Sequence, residues 1–386
     1  MSNILLCDAN FCLIPIFQAI KTKPNSSLSV IGSILSDPLH SLADKSINLD
    51  YSDTNSLSLH IHDNNYDNII PGCNDRAYIS LAKIADKTYF PGFDNYATSL
   101  NIHHKDKFRA LAEKFNYPIP KAINTVEKIN QINFPVLIKP IDSFSGKGIN
   151  KANNIHELHD YWEIAEQCSS SGLAIAEEFI EGNLYSHSAF IKNRKIIIDF
   201  FVNEYCTVYP YQVNSSNIAT LLNKKIEKEL RDWVEKFAND LELCDGLIHT
   251  QFISDNEEFT LIEIARRCPG DLYSQLIQKS TGINYAELYI LPFLGIELPN
   301  KVEIQEEKFI SRHTVSTDEE CIFLSSSINL QCLKVENIQL KNSGEKMKRA
   351  PFDKSGIYFI EHESKEDMEE LTKKLKDFVV IDQFTI

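Results

Sequence analysis

Short, unbroken apolar runs alternate with longer amphipathic stretches over the first third of the chain. Asn3-Ile4-Leu5-Leu6-Cys7 reads as a buried strand, and residues 11–21 as an amphipathic helix. Leu28-Ser29-Val30-Ile31-Gly32 and Asn68-Ile69-Ile70-Pro71-Gly72 repeat the strand signal, with helices expected between them. Strands apolar on both faces belong to covered parallel sheets, so residues 1–100 are expected to form a small doubly wound α/β unit. Its first strand-to-helix turn, Cys7-Asp8-Ala9-Asn10-Phe11, contains no glycine. A dinucleotide site needs glycines there for the close approach of a pyrophosphate, so a dehydrogenase reading fits poorly.

Beyond residue 100 the pattern loosens. Residues 105–116 read as an amphipathic helix stopped by Pro118 and Pro120. Phe134-Pro135-Val136-Leu137-Ile138-Lys139-Pro140 is a short apolar strand that ends in a lysine, and 174–180 is another strand. Residues 190–192 and 196–202, joined by Asn193-Arg194, predict a hairpin. From 226 to 241, Ile226, Leu230, Trp233, Val234, Phe237 and Leu241 fall on one helical face. Strands at 247–253 and 259–264 flank an acidic turn, Asp255–Glu258. Residues 301–386 are expected as a smaller unit with a strand at 356–361 and a charged helix at 364–378.

Composition narrows the function classes. At 386 residues with 43% apolar and 24% charged positions, the chain can build sizeable cores in two to four domains and is not disordered. Its formal net charge of −15 repels phosphate backbones, which argues against a nucleic-acid or anionic-membrane partner. An anionic ligand then needs basic groups gathered locally. Nine scattered cysteines include no CxxC pair, so neither a zinc site nor a disulfide framework is readable. No apolar run reaches the roughly 18 residues of a membrane span, and a cytoplasmic location is expected.

Two places carry chemistry. Asp142-Ser143-Phe144-Ser145-Gly146-Lys147-Gly148 follows the strand ending at Lys139, and a Ser/Gly loop there offers backbone N–H groups to phosphate oxygens. An ordinary turn would look the same, and the loop is not a GxxxxGK[ST] motif. The second place is Gln251, Glu263 and Arg267. A carboxylate inside a strand as apolar as Thr260–Ala265 costs several kcal/mol unless a cation or hydrogen bonds satisfy it. Mg²⁺ would do so, and so would a salt bridge from Glu263 to Arg266 or Arg267.

Taken together, these segments resemble the ATP-grasp superfamily. The similarity runs over 67–297: Ile69-Ile70-Pro71-Gly72, Lys105 with its helix, PVLIKP with the SGKG loop, EEFIEG at 177–182, HTQF at 249–252 and LIEIARRCPGD at 261–271. The 12-residue separation of Gln251 and Glu263 is typical of the family's metal-binding hairpin. The resemblance implies an α/β fold in four parts: a doubly wound pre-grasp domain (1–100), a first ATP-grasp subdomain with a phosphate flap (101–182), a second with the metal hairpin (183–300), and a small C-terminal α+β lid (301–386).

It also implies roles. Lys105 and Lys139 look like the two lysines that reach the nucleotide phosphates, and Ser143, Ser145, Gly146, Lys147 and Gly148 like the flap that closes over them. Glu177, Glu178, Phe179 and Ile180 look like the linker that meets adenine through backbone groups. Gln251 and Glu263 look like the metal ligands, and Arg267 like the arginine that holds the transferred phosphate. Two positions depart from the family pattern. Leu184 stands where a ribose-binding Glu is common, and Ala265 where a third metal ligand, Asn, is common.

The implied cofactors are ATP and Mg²⁺, or Mn²⁺ in its place. The implied reaction is ligation of a carboxylate to an amine through an acyl phosphate. Lys139 and Arg267 would be catalytic, with His249, two residues before Gln251, meeting the substrate or serving the core. The implied partners are small-molecule carboxylates and amines, amino acids above all, with a homodimer allowed. A carboxylating ligase of purine biosynthesis and a non-catalytic ATP-binding regulator remain alternatives. Asn74 and Asp75, at a strand's carboxyl end, are candidate substrate contacts. His187 is ambiguous, His103 and His104 are expected to face solvent, and Cys268 has no readable general-base partner.

Overall fold

The computed structural model describes residues 2–142 and 146–385. Four parallel strands open the chain: β1 (Ser2–Cys7), β2 (Ser26–Gly32), β3 (Lys45–Asn48) and β4 (Asn68–Pro71), in the order β3-β2-β1-β4. Helices α1 (Ile14–Lys21), α2 (Leu39–Leu42), α3 (Thr54–Asn64) and α4 (Asp75–Ala85) accompany them, giving the expected doubly wound unit. The strand order reverses at β1, so the crevice between the carboxyl ends of β1 and β4 is the switch point where such sheets bind ligands. Asp8 and Asn74 meet there, Asn74 Nδ2 donating to Asp8 Oδ2 at 2.7 Å. Asp8 has φ 107°, and its Oδ1 accepts from the N–H groups of Ala9 (2.7 Å) and Asn10 (3.3 Å). The turn thus fills its own anion-binding position with a carboxylate.

Helices α5 (Tyr96–His103) and α6 (Lys105–Phe115) lead into a four-stranded sheet of β5 (Ala122–Ile123), β6 (Val136–Pro140), β7 (Asn150–Ala152) and β8 (Ala174–Glu178). It has its own core, Val136, Ile138 and Ala176 packing on Leu158 and Trp162 of α7 (Ile155–Cys168). Helix α6 ends one turn before the prolines. Asn116 adopts the left-handed conformation (φ 55°) and its N–H caps the helix, so the stop is an Asn cap rather than Pro118.

The long hairpin of β9 (Asn183–Lys192) and β10 (Lys195–Tyr205) exceeds its expected length at both ends. Its turn, Asn193-Arg194, has both residues at positive φ (52° and 63°), which suits the right-handed twist of the strands. Next come β11 (Ser215–Ile218), α8 (Lys224–Asp240), β12 (Gly246–Ser254), β13 (Phe259–Ala265) and α9 (Tyr273–Thr281). The C-terminal segment adds β14 (Ile310–Val315), β15 (Cys321–Ile328), β16 (Lys334–Gln339), β17 (Lys346–Met347), β18 (Gly356–Glu361) and β19 (Val379–Thr385).

Three of these last strands do not stand apart. β14, β18 and β16 extend the central sheet, whose order is β13-β12-β9-β10-β11-β14-β18-β16; only β17, β15 and β19 form a small separate sheet. One buried cluster accordingly joins Ile4 and Leu6 of β1, Phe190 of β9, Leu247 of β12, Tyr273 of α9, Ile310 of β14 and Phe359 of β18. The helix expected at 364–378 is broken into Lys365–Leu371 and Leu375–Phe378 by a 3-10 turn at 372–374. Thr372 is pinned there, its hydroxyl lying between the Met368 carbonyl (2.6 Å) and Ser311 of β14 (2.5 Å). Among the described residues no helix is long and apolar enough to cross a membrane.

Candidate active site

The hairpin of β12 and β13 sets Gln251 and Glu263 directly opposite each other. A register shift between Gln251 and Phe252 bulges the pair, and bulges re-aim side chains out of a sheet. Among the described residues neither side chain has a hydrogen-bond or ion-pair partner. Neither arginine expected as a salt-bridge partner pairs with Glu263: Arg266 is spent elsewhere and Arg267 pairs with Asp75, although the Glu263 charge lies near enough to help raise the Arg267 pKa. Buried Arg266 gives Nε to Asp94 (2.8 Å), Nη1 to the Leu247 carbonyl and Nη2 to the Cys244 carbonyl (both 2.7 Å). Two opposed, unpartnered oxygen donors on one hairpin fit a hard divalent cation. Among the described residues no three His, Cys, Asp or Glu side chains gather to hold a metal unaided, so the rest of the coordination falls to phosphates and water.

A buried ion cluster adjoins the hairpin at Ile262. Lys139 Nζ lies 2.6 Å from Glu177 Oε2, and Arg109 Nε donates to Glu177 Oε1 at 2.9 Å. Arg109 also gives Nη2 to the Ile262 carbonyl (2.7 Å), tying the cluster to β13 next to Glu263. Glu177 is only 1% exposed. Burial alone would raise its carboxyl, but Arg109, Lys139 and the nearby Lys105 outweigh that and keep it ionised. Burial pushes the Lys139 ammonium below the usual lysine value despite Glu177. The side chain of Glu177 is therefore spent on Lys139 and Arg109, beyond the backbone role expected of it. Next to it, Glu178 and Phe179 donate their N–H groups to Lys121 and Pro135, while the Ile180 N–H finds no acceptor among the described residues.

Ser143 and Ser145 lie outside the described residues. Their neighbours Gly146 and Gly148 both have positive φ (71° and 75°) in close quarters: a Cβ on Gly146 would meet the Tyr211 carbonyl oxygen at 2.4 Å, and one on Gly148 the Cys168 Cβ at 2.7 Å. Lys147 faces cations. Burial, with Lys354, Arg76 and Lys348 close by, lowers its pKa, so basic groups from three parts of an acidic chain converge at this loop.

Four residues past Glu263, Arg267 lies against Asp75 at the start of α4: Nε to Oδ1 and Nη2 to Oδ2, both 3.1 Å. Asp75 also accepts from His103 Nδ1 at 2.7 Å. Burial would raise the Asp75 carboxyl, but Arg267 and His103 hold it well below the usual carboxylate range. Asp75 thus meets a protein arginine, and the side chain of His103, expected in solvent, is fully buried. His249 is buried too, its Nδ1 2.8 Å from Ser188 Oγ and its ring edge-on to Tyr273. Burial, then the Arg267 charge, push it down to about 3. It is a neutral partner of the core beside Arg267 and no proton carrier at neutral pH. His187, on the opposite sheet face, binds Asp199 at 2.8 Å.

The comparisons follow this geometry. The ATP-grasp domain family matches residues 104–271. The formate-dependent phosphoribosylglycinamide formyltransferase of Prochlorococcus marinus (strain NATL1A) is 30% identical over 281 residues, 69% of this chain and 70% of that protein. The crystal structure of an L-amino acid ligase from Bacillus licheniformis superposes with a TM-score of 0.79 at 16% identity, covering 99% of this chain and 98% of that one. Phosphoribosylglycinamide synthetase from Anaerococcus prevotii gives 0.76 at 18%, covering 99% of both. At such identities the two structures speak for the fold alone.

Proposed function

The chain belongs to the ATP-grasp superfamily of ATP-dependent ligases, and from that premise we propose that it joins a carboxylate to an amine through an acyl phosphate, with an amino acid among its substrates. The observation that carries this reading is the opposed, unpartnered Gln251–Glu263 pair flanked by Lys139 and Arg267. A carboxylate oxygen attacks the γ-phosphorus, the bond to the bridging oxygen breaks, and ADP leaves. The amine nitrogen then attacks the acyl carbon, loses a proton and expels phosphate. Little covalent work falls to the protein; positioning and charge neutralisation do the rest. Lys105 and Lys139 neutralise the phosphates of ATP, the 146–148 loop covers them, and Arg267 holds the phosphate in transfer. Gln251 and Glu263 would hold Mg²⁺, which supplies further neutralisation of phosphate charge.

The relatives named as formate-dependent formyltransferases also use a carboxylate, which supports the first half of the reading. The second half diverges from them. The N–H groups of Ala9 and Asn10, which could cradle a phosphorylated amine at the switch point, already bind Asp8. This favours an amine without a phosphate. The test is ADP release across amino-acid pairs, formate with phosphoribosylglycinamide, and bicarbonate, with product masses measured. An amide of two amino acids is the expected product; formylated phosphoribosylglycinamide would overturn the amino-acid assignment. Glu263→Gln keeps the shape of the site and should lose ADP release while melting normally. An active variant with unchanged Mg²⁺ dependence would falsify the metal role.

A further inference from the structure

Arg267 carries five N–H donors arranged on three edges of a plane. Asp75 takes the edge formed by Nε and Nη2, at 3.1 Å on each side. The end-on fork of Nη1 and Nη2 has no acceptor among the described residues, and it is the edge suited to a second bidentate anion. A guanidinium tethered along one edge cannot swing, so Asp75 decides where the fork points.

Asp75 is itself held. His103, the last residue of α5, places Nδ1 2.7 Å from Asp75 Oδ1, and its Nε2 accepts the Arg266 N–H at 3.3 Å. Because Nε2 is an acceptor, Nδ1 carries the proton donated to Asp75. The ring has no freedom to tilt: its side chain is 0% exposed and stacks on Tyr78 of α4 at 4.6 Å, with 21° between the planes. Three elements therefore converge on one arginine. α4 brings the carboxylate, α5 the imidazole, and the segment after β13 closes the circuit through the backbone of the residue beside Arg267.

We propose that Asp75 and His103 are positioning residues, which fix the Arg267 guanidinium so that its Nη1–Nη2 fork meets the transferred phosphate. The proposal rests on the reading of Arg267 as the phosphate-holding arginine. It assigns to the pre-grasp unit a part in phosphoryl transfer, since Asp75 is the first residue of α4.

The test needs no known substrate. MgADP binding is measured by calorimetry with and without inorganic phosphate, which stands in for the transferred group. Phosphate should tighten MgADP binding to the unaltered protein, and Arg267→Ala should abolish that tightening. Asp75→Asn keeps the shape but loses the charge, and should cut the phosphate effect by about tenfold or more with the affinity for MgADP alone unchanged. His103→Asn sets an amide N–H where Nδ1 was and should retain most of the effect. His103→Gln sets it at the other ring nitrogen's place and should lose it. A merely structural histidine would not separate these two variants. If phosphate has no effect on the unaltered protein, or Arg267→Ala preserves it, the reading of Arg267 fails and the proposal with it. If Arg267→Ala abolishes the effect while Asp75→Asn and His103→Gln keep it in full, the reading stands and the positioning role is overturned. Loss of MgADP affinity itself in Asp75→Asn also counts against the role, and should that variant fail to fold, the His103 pair decides alone.

Discussion

The two ion assemblies next to the Gln251–Glu263 hairpin solve different problems. Around Glu177, Lys139 and Arg109 make direct ion pairs and Lys105 stands nearby, so three cations surround one carboxylate in a place almost sealed from water. Around Arg267, one carboxylate and one imidazole surround one cation, and Asp75 is still 27% exposed. The first assembly keeps positive charge in excess, which a polyphosphate can neutralise. The second keeps none in excess and constrains direction instead. Charge and geometry are thus supplied by separate assemblies, one attached to β13 at Ile262 and the other to the segment just after it, at Arg267.

That contrast can be broken most forcefully at Glu177. Glu177→Leu leaves two cations buried without their partner, and should cost about 3–5 kcal/mol of stability in urea unfolding. Asp75→Asn, in the wetter assembly, keeps its shape and should cost less, about 1–3 kcal/mol. Equal losses would erase the distinction. Lys139→Ala should weaken ATP binding about tenfold to a hundredfold by calorimetry, since a charged hydrogen bond contributes roughly 1.5–3 kcal/mol. Unchanged affinity would remove Lys139 from the nucleotide side.

Acid should act on the Arg267 side through His249. Its folded pKa, about 3, lies below the ordinary value of 6.5, so the unfolded chain binds the proton more readily. Stability from this group is complete above pH 6.5 and is lost as pH falls toward 3, at most by about 1.4 kcal/mol per unit. His249→Phe should flatten the melting-temperature profile in that window; a profile of the same slope would refute it. The smallest change sharpens the middle of the site. Ala265→Asn adds an oxygen near the pair and should lower the Mg²⁺ needed for half-maximal ADP release a few-fold.

Local pattern revealed much of this fold. Three of the four parallel strands of the N-terminal unit and the β12–β13 hairpin follow from apolar runs and a short turn. The fourth, β3, Lys45-Ser46-Ile47-Asn48, has a single apolar residue and gave no strand signal. The family resemblance, rather than periodicity, singled out Gln251 with Glu263. The membership of β14 in the central sheet was hidden, because Ser311, Arg312, His313 and Thr314 break the apolar run while being buried through partners far away in sequence. The site divides in the same way. Lys139, Arg267, Gln251 and Glu263 stand in recognisable segments. Their partners do not, since Glu177 is 38 residues from Lys139 and Asp75 is 192 from Arg267. His103 gave no signal at all, for nothing in Ile102-His103-His104 distinguishes a buried ring from a solvated one.

The central sheet also bears on how the chain is made. β11 ends at Ile218, but its outer neighbour is β14, which is not complete until Val315, and β14 in turn waits for β18. At ribosomal speeds of roughly 5–20 residues per second, that outer edge of β11 stays open on the order of ten seconds. Unpaired edges invite pairing with other chains. The nascent protein is therefore most exposed to aggregation while residues 219–315 are being synthesised, and slower translation of that stretch should lower the yield of native protein more than slowing any other.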